Sequence, residues 1–169
     1  MTTAIVDIET DKLDATKIHC IVARAEKSEK EKVWIEDQCK DFGEWSNQIS
    51  KFIMHNGISF DAPILNKLTG ATIKATQIRD TLLESQLFNP VREEGHSLKA
   101  WGEKLKLPKG DCDSFEYYSP EMLEYCKQDA QITQKLAETL SIEGSSFSNR
   151  SYELERNIRV IIDHQEKNG

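Results

Sequence analysis

The stretch Thr3-Ala4-Ile5-Val6-Asp7-Ile8-Glu9 decides how this sequence folds, because it is an apolar, β-branched segment that carries two acids. Successive side chains of a β-strand point to opposite faces. Asp7 and Glu9 therefore share one face with Ile5, and the other face is wholly apolar. Like charges side by side repel, and burying them without partners costs several kcal/mol. Either the strand frays here and both acids lie in water, or the pair is placed for a function.

The whole chain has 169 residues, 22 of them basic and 29 acidic, and a formal net charge of −7. This length fits one domain with a real core. The acidity argues against a protein that coats duplex DNA through bulk positive charge. No segment has the pattern of a membrane span or a signal peptide, and the four cysteines are isolated. We therefore expect a cytoplasmic protein with free thiols and no membrane partner.

Apolar segments rich in β-branched residues predict strands over residues 3–9, 18–25, 32–35 and 52–54. The mixed-charge stretch 26–31 predicts a hairpin turn between the second and third strands. Apolar periodicity and capping signals predict helices over 42–49, 61–68, 81–87, 98–105, 119–140 and 152–167, with a linker at 144–146. Thr81 and Glu84 form a possible capping box for the third helix. This order of elements predicts an α/β fold with helices packed on a mixed β-sheet.

Asp129 interrupts the apolar face of the long predicted helix 119–140. Spacings of three and four residues define that face, which consists of Met122, Tyr125, Cys126, Asp129, Ile132, Thr133, Leu136 and Leu140. One explanation is a structural hydrogen bond between Tyr125 and Asp129 inside a core. The other is an acid directed at a metal ion with a phenol beside it. The lack of a basic residue on this helix face favours the second explanation.

Asp61 follows a predicted strand and the turn His55-Asn56-Gly57, and it opens a predicted helix. An acid in this position is usually a helix cap, and then it needs no function. Because two further acidic sites occur in the same chain, a joint function is the more economical explanation. A calcium loop over 111–116 is excluded, since Phe115 stands at a ligand position and the required glycine is missing.

Three segments occur in this order: Asp7-Ile8-Glu9-Thr10, Asn56-Gly57-x-x-x-Asp61 and Tyr125-x-x-x-Asp129. They resemble the three exonuclease motifs of the DnaQ-like (DEDD) superfamily. The tyrosine four residues before the last acid is typical of the Tyr-type branch. The His-type branch has a histidine one position earlier, where this chain has Glu124. Three ordered motifs with four acids make a far more specific signal than any one motif.

Nearly the whole chain resembles the N-terminal proofreading domain of T-seven-type phage family A DNA polymerases. Further matching segments are residues 17–20, 55–57, 80–82, 96–102 and 164–169. The resemblance implies an RNase H-like fold, a mixed β-sheet flanked by helices. It also implies an exonuclease domain over 1–143. The linker and C-terminal helix over 144–169 would then lead into a polymerase domain that this sequence does not contain.

The same resemblance assigns two divalent ions, Mg²⁺ with Mn²⁺ as a substitute, to four catalytic acids, Asp7, Glu9, Asp61 and Asp129. It assigns to Tyr125 the orientation of the attacking water. Thr10 and Leu13 match positions that contact the terminal nucleotide, Leu13 as a wedge, and Asn56 is a further candidate for contacting the strand. The implied activity is 3′→5′ removal of nucleotides from single-stranded or frayed DNA ends. It would proofread for a phage DNA polymerase, in cis or as a separate chain.

Two other functions stay open from the sequence. RNase D-like 3′→5′ exoribonucleases share the Tyr-type motifs, and a module that only docks a polymerase is a third class. The lysines of the segment 99–109 form either a solvated helix face or a local track for a single strand; they are Lys99, Lys104, Lys106 and Lys109. The last predicted helix carries an apolar stripe that packs either on its own domain or on a partner; it consists of Leu154, Ile158, Ile161 and Ile162.

Overall fold

A computed structural model describes residues 2–107 and 110–168, which form a five-stranded sheet with helices packed against it. In chain order the strands are β1 (Thr3–Thr10), β2 (Ile18–Ala25), β3 (Glu31–Ile35), β4 (Lys51–Met54) and β5 (Ile78–Asp80). Their order in the sheet is β3-β2-β1-β4-β5, so β1 is central. β2 is antiparallel to β1 and β3, whereas β4 is parallel to both β1 and β5. The predicted mixed sheet is confirmed.

The described α-helices are α1 (Phe42–Ser46), α2 (Asp61–Thr69), α3 (Thr81–Phe88), α4 (Leu98–Lys104), α5 (Pro120–Glu143) and α6 (Asn149–Asn168). The predicted first turns of α4 and α5 are confirmed by the serine that caps each helix. The Ser97 hydroxyl accepts the N–H of Ala100 at 3.2 Å, and the Ser119 hydroxyl accepts the N–H of Met122 at 3.1 Å. Pro120 then takes the first position of α5, where its missing N–H costs nothing. None of these helices is long and apolar enough to cross a membrane, in the part of the chain that the structure describes.

The two faces of β1 pack against different layers. Val6 and Ile8 belong to a core that includes Leu65 of α2. Ile5 belongs to a second core on the opposite face, which includes Met122 of α5. The alternation predicted for the first strand is therefore confirmed, and α5 lies across the face that carries the two acids.

The predicted capping box at the start of α3 is wrong. Asp80 is the N-cap, and its carboxylate accepts the N–H groups of Leu82 and Leu83. Thr81 is instead the first helical residue, and its hydroxyl donates to the Met54 carbonyl at 3.2 Å. Aspartate is an effective N-cap because its oxygens reach the first unsatisfied N–H groups of the helix.

Other differences concern the ends of elements. The helix predicted over 42–49 is only the five-residue α1, preceded by a 3-10 turn at Glu36–Asp41. The linker predicted at 144–146 is a 3-10 turn, and α6 begins at Asn149 rather than at 152. β5 was not predicted at all. The stretch Pro108-Lys109-Gly110 predicts a break in the chain after the helix at 98–105, and its residues Pro108 and Lys109 lie outside the described residues.

The C-terminal helix α6 lies against the elements that precede it. The Tyr152 hydroxyl accepts the N–H of Asp80 at 2.7 Å, and Ser59 donates to the Asp163 carboxylate at 2.7 Å. On its other side, α6 leaves Leu154 and Ile161 exposed to solvent. The helix thus packs on this domain through one face and leaves part of its apolar stripe open. The boundary between residues 143 and 144 stays a prediction.

Candidate active site

The central strand places two acids next to α5. Asp7 pairs with Val22 and Glu9 with Cys20 across the β1–β2 ladder, and the register of the ladder shifts between Glu9 and Thr10. Glu9 is only 9% exposed, and the strand continues to Thr10. The acids therefore do not lie at a frayed strand end in water.

Asp61 is brought to the same region by the loop between β4 and α2. Asn56 has a left-handed backbone with φ of 64°. A Cβ on Gly57 would lie 2.2 Å from the Cβ of Met54, so only glycine fits against β4 there. Phe60, not Asp61, is the N-cap of α2, and Asp61 is 5% exposed in its first turn. The explanation of Asp61 as a simple helix cap is therefore wrong.

Asp129 and Tyr125 come from adjacent turns of α5, and Asp129 is 4% exposed. On the same helix, the Cys126 thiol donates to the Asp7 carbonyl at 3.4 Å. Possible ligand atoms of Asp7, Glu9 and Cys126 lie within 4.8 Å of one another. Burial raises the pKa of the Cys126 thiol well above its ordinary value, so the sulfur stays protonated at neutral pH. Hard cations such as Mg²⁺ prefer oxygen donors to sulfur, so the carboxylates are the better-suited ligands here.

The four acids interact electrostatically. Burial raises the pKa of Asp7 well above its usual range, and the charges of Asp129, Glu9 and Asp61 raise it further. Burial also raises the pKa of Asp61 to about 8, with additional contributions from Asp80 and Asp129. Such shifts mean that the carboxylates resist being ionised together without a cation.

The donor set of this cluster fits a divalent cation. Asp7 Oδ2 is buried and has no hydrogen-bond partner within residues 2–107 and 110–168. Buried carboxylate oxygens normally find a partner, so this atom is suited to a ligand that the protein itself does not supply. Oxygen-rich carboxylate sites suit Mg²⁺ and Mn²⁺ rather than softer metals.

Tyr125 is flanked by the irregular segment that precedes α5. The Phe115 ring meets the Tyr125 ring edge-on, with centroids 5.9 Å apart. The Phe115 carbonyl accepts the Nε2–H of the buried His19 at 3.0 Å. Gly110 donates its N–H to the side chain of Gln128 at 2.7 Å. These contacts hold the segment beside the tyrosine, a role for His19 and Phe115 that the sequence did not predict.

The predicted nucleotide contacts are not part of the acid cluster itself. Thr10 is buried, and its hydroxyl donates to the Lys12 carbonyl at 3.0 Å. Leu13 is 87% exposed in the loop that follows β1. Asn56 lies in the turn that leads to Asp61, and its backbone N–H donates to Asp80 at 3.0 Å.

The predicted basic segment 99–109 is exposed where it is described. Lys99, Lys104 and Lys106 are all open to solvent, and the Lys104 ammonium lies 5.1 Å from the centroid of the Trp101 ring. Lys109 lies outside the described residues. The cation–π contact gives Lys104 a role within the domain, which accords with a solvated helix face.

Asp80 is the residue of this region that the sequence analysis missed. It is 3% exposed and lies at the end of β5. That strand is parallel to β1 and is separated from it in the sheet by β4. The signal that could have found it is an acid directly before Thr81 at a helix start. Its contacts with residues 56–58 could not be predicted, because they are more than 20 positions away in the chain.

Comparison with known proteins shows the fold. No family model and no curated protein matches the sequence. NrnC of Brucella melitensis bound to pGG is 17% identical, with a TM-score of 0.71 over 98% of this chain and 83% of that one. The same protein with bound Mg²⁺ is 18% identical, with a TM-score of 0.70 over 96% of this chain and 85% of that one.

A second similar structure is phi29 DNA polymerase complexed with single-stranded DNA. It is 16% identical and has a TM-score of 0.55 over 85% of this chain, which spans 32% of the polymerase. These likenesses define the class of fold, a mixed five-stranded α/β sheet with flanking helices that NrnC and one region of the polymerase share. The predicted fold class is confirmed.

Proposed function

We propose that this protein is a metal-dependent 3′→5′ exonuclease. The observation that carries the proposal is the convergence of Asp7, Glu9, Asp61 and Asp129 from one strand and two helices into one buried cluster. Nothing in the packing of a core requires four acids at one point, and their mutual repulsion opposes it. The similar structures support the proposal, since NrnC was found with Mg²⁺ and with pGG.

The four acids would hold two divalent ions, Mg²⁺ in the first instance and Mn²⁺ as a substitute. Such ions stabilise the attacking and leaving oxygens of a phosphodiester and lower the pKa of a bound water. Asp7 is suited to contact both ions, because its carboxylate interacts with those of Glu9, Asp61 and Asp129.

Tyr125 would orient the attacking water by a hydrogen bond. A phenol with an ordinary pKa of about 10 is better suited to donating or accepting such a bond than to removing a proton at neutral pH. Phe115 restricts the tyrosine ring from one side. Thr10, Leu13 and Asn56 would contact the terminal nucleotides, with the exposed Leu13 side chain wedged against a base.

The substrate that we propose is a single-stranded or frayed DNA 3′ end, and the role is proofreading for a phage DNA polymerase in a bacterial cytoplasm. The polymerase would be attached in cis or act as a separate chain. Two findings support this choice: the resemblance of segments outside the motifs to phage proofreading domains, and the fold likeness to phi29 DNA polymerase complexed with single-stranded DNA. Docking to a polymerase is compatible with activity of the acid cluster.

The proposal is tested with a 5′-labelled single-stranded DNA in the presence of Mg²⁺. The wild-type protein should shorten the strand stepwise from its 3′ end, and Asp7→Ala should abolish this while keeping the folded far-UV spectrum. Asp14→Ala is the matched control, since that acid is near in sequence but its side chain is 98% exposed. Substantial Mg²⁺-dependent hydrolysis by Asp7→Ala would contradict the two-ion assignment.

A second candidate is an RNase D-like 3′→5′ exoribonuclease. It is favoured by one observation, the likeness over 98% of this chain to NrnC bound to pGG. The two candidates are separated by degradation rates on DNA and RNA strands of the same sequence and length, including dinucleotides. Faster degradation of DNA strands of about ten nucleotides or more supports proofreading. Faster degradation of RNA or of dinucleotides supports the alternative.

A further inference from the structure

Asp80 joins the loop after β4 to the first turn of α3, at the carboxyl ends of two neighbouring parallel strands. Its Oδ1 accepts the N–H of Asn56 at 3.0 Å, and its Oδ2 accepts the N–H of Ile58 at 3.1 Å. Oδ1 also accepts the N–H groups of Leu82 and Leu83 at 3.0 and 3.4 Å. One buried carboxylate therefore fixes both the loop after β4 and the first turn of α3.

The loop that Asp80 holds leads directly to Asp61. The Asn56 carbonyl accepts the N–H of Phe60 at 3.0 Å, and the Gly57 carbonyl accepts the N–H of Ala62 at 2.9 Å. Any shift of residues 56–58 is thus passed through two hydrogen bonds to the residues on either side of Asp61. The backbone of Asp80 is itself fixed, because its N–H donates to the Tyr152 hydroxyl at 2.7 Å.

We propose that Asp80 is a positioning residue, which sets where α2 presents Asp61 to a metal ion. This inference rests on the proposed function, since it assumes that Asp61 is a metal ligand. Asp80 itself is not a ligand in this arrangement, because both of its oxygens accept backbone N–H groups. Residues that orient metal ligands in this way commonly change metal affinity by 10- to 100-fold when they are altered.

Asp80→Asn is the substitution that tests the role with least change in shape. It replaces one acceptor oxygen with an NH₂ group, which then faces at least one backbone N–H donor. Glu84→Gln is the matched control. Glu84 is also a buried acid of α3, but its carboxylate bonds to Arg79 and not to the loop.

The measurement is Mn²⁺ binding to metal-free protein, followed by the electron paramagnetic resonance signal of the free ion. We expect Asp80→Asn to bind Mn²⁺ about tenfold or more weakly than wild type, and Glu84→Gln to stay within about twofold of it. Thermal unfolding of both variants reports the general loss of stability. If Asp80 had a purely structural role, both variants would have a lower melting temperature than wild type, and both would bind Mn²⁺ as tightly as wild type does.

The outcomes separate this inference from the proposed function. If wild-type protein binds no Mn²⁺ at millimolar concentration, the metal-dependent function fails and this inference fails with it. If wild type and folded Asp80→Asn bind Mn²⁺ equally, only the inference is overturned. Should Asp80→Asn not fold, amide hydrogen exchange of wild type decides: Mg²⁺ should slow exchange at Asn56 and Ile58, and no change at either amide refutes the coupling.

Discussion

Neutralising Asp61 should remove a large part of the pH dependence of stability of the metal-free protein. The pKa of this carboxyl is raised from 3.8 to about 8, chiefly by burial and next by the charge of Asp80. A carboxyl with a higher pKa in the folded state takes up a proton on folding, in the interval between its unfolded and folded pKa values. The metal-free wild type should therefore lose stability as the pH rises from about 4 to about 8.

The size of the effect follows from the shift. One pKa unit corresponds to about 1.4 kcal/mol, so a carboxyl that titrates near 8 rather than 3.8 accounts for about 3 to 4 kcal/mol between pH 5 and pH 8. Asp61→Asn should flatten the dependence by that amount, and the remaining slope should come mainly from Asp7. Mg²⁺ should stabilise wild type most at pH 8, because it binds the ionised carboxylates.

The assay is urea unfolding in EDTA at pH 5 and pH 8, with the free energy of unfolding extrapolated to water. Asp14→Asn serves as the control, because it removes an acid near β1 in the sequence whose side chain is 98% exposed. If Asp61→Asn shows the same loss of stability between the two pH values as wild type, the electrostatic account of the acid cluster is refuted.

Three further predictions concern side chains other than the four acids. Tyr125→Phe should slow hydrolysis of a labelled single strand by about 10- to 100-fold, which is a smaller loss than the one expected for Asp7→Ala. An equal loss of activity in both variants would mean that Tyr125 does more than orient water. Lys99→Glu with Lys106→Glu should leave single-strand affinity within about twofold of wild type, whereas a tenfold drop measured by fluorescence anisotropy would indicate a strand track. Tyr152→Phe should cost about 1 to 3 kcal/mol in urea unfolding, because it leaves the Asp80 N–H and the Ile78 carbonyl without their partner; a cost below about 0.5 kcal/mol would contradict this.

The parts of the fold that the sequence predicted are those with a local signal. The two faces of β1 follow from strict alternation, and α5 follows from a long 3.6-residue pattern with Ser119 and Pro120 at its start. Asp129 stands out in the sequence because it interrupts that pattern. The resemblance to exonuclease motifs then related it to Asp7 and Asp61, which periodicity alone could not do.

The parts that the sequence did not predict depend on distant contacts. β5 has only three residues, and the middle one is Arg79, which is atypical of a buried strand. Arg79 is accommodated by a two-pronged bond to Glu84 and by donation to the Ala137 carbonyl, 58 positions away. Between the adjacent residues Asp80 and Thr81, local capping rules do not decide which one caps α3. The structure favours Asp80, because Tyr152 and the loop after β4 hold it in place.

The bonds between α6 and the rest of the chain also determine when the site is completed during synthesis. Ser59 and Asp163 are 104 positions apart, and Asp80 and Tyr152 are 72 positions apart. A chain that grows from its amino terminus makes Asp7, Glu9 and Asp61 early, but it cannot form these bonds until α6 leaves the ribosome. Under the positioning role proposed for Asp80, the loop that leads to Asp61 is therefore fixed by both of these bonds only after Asp163 has left the ribosome.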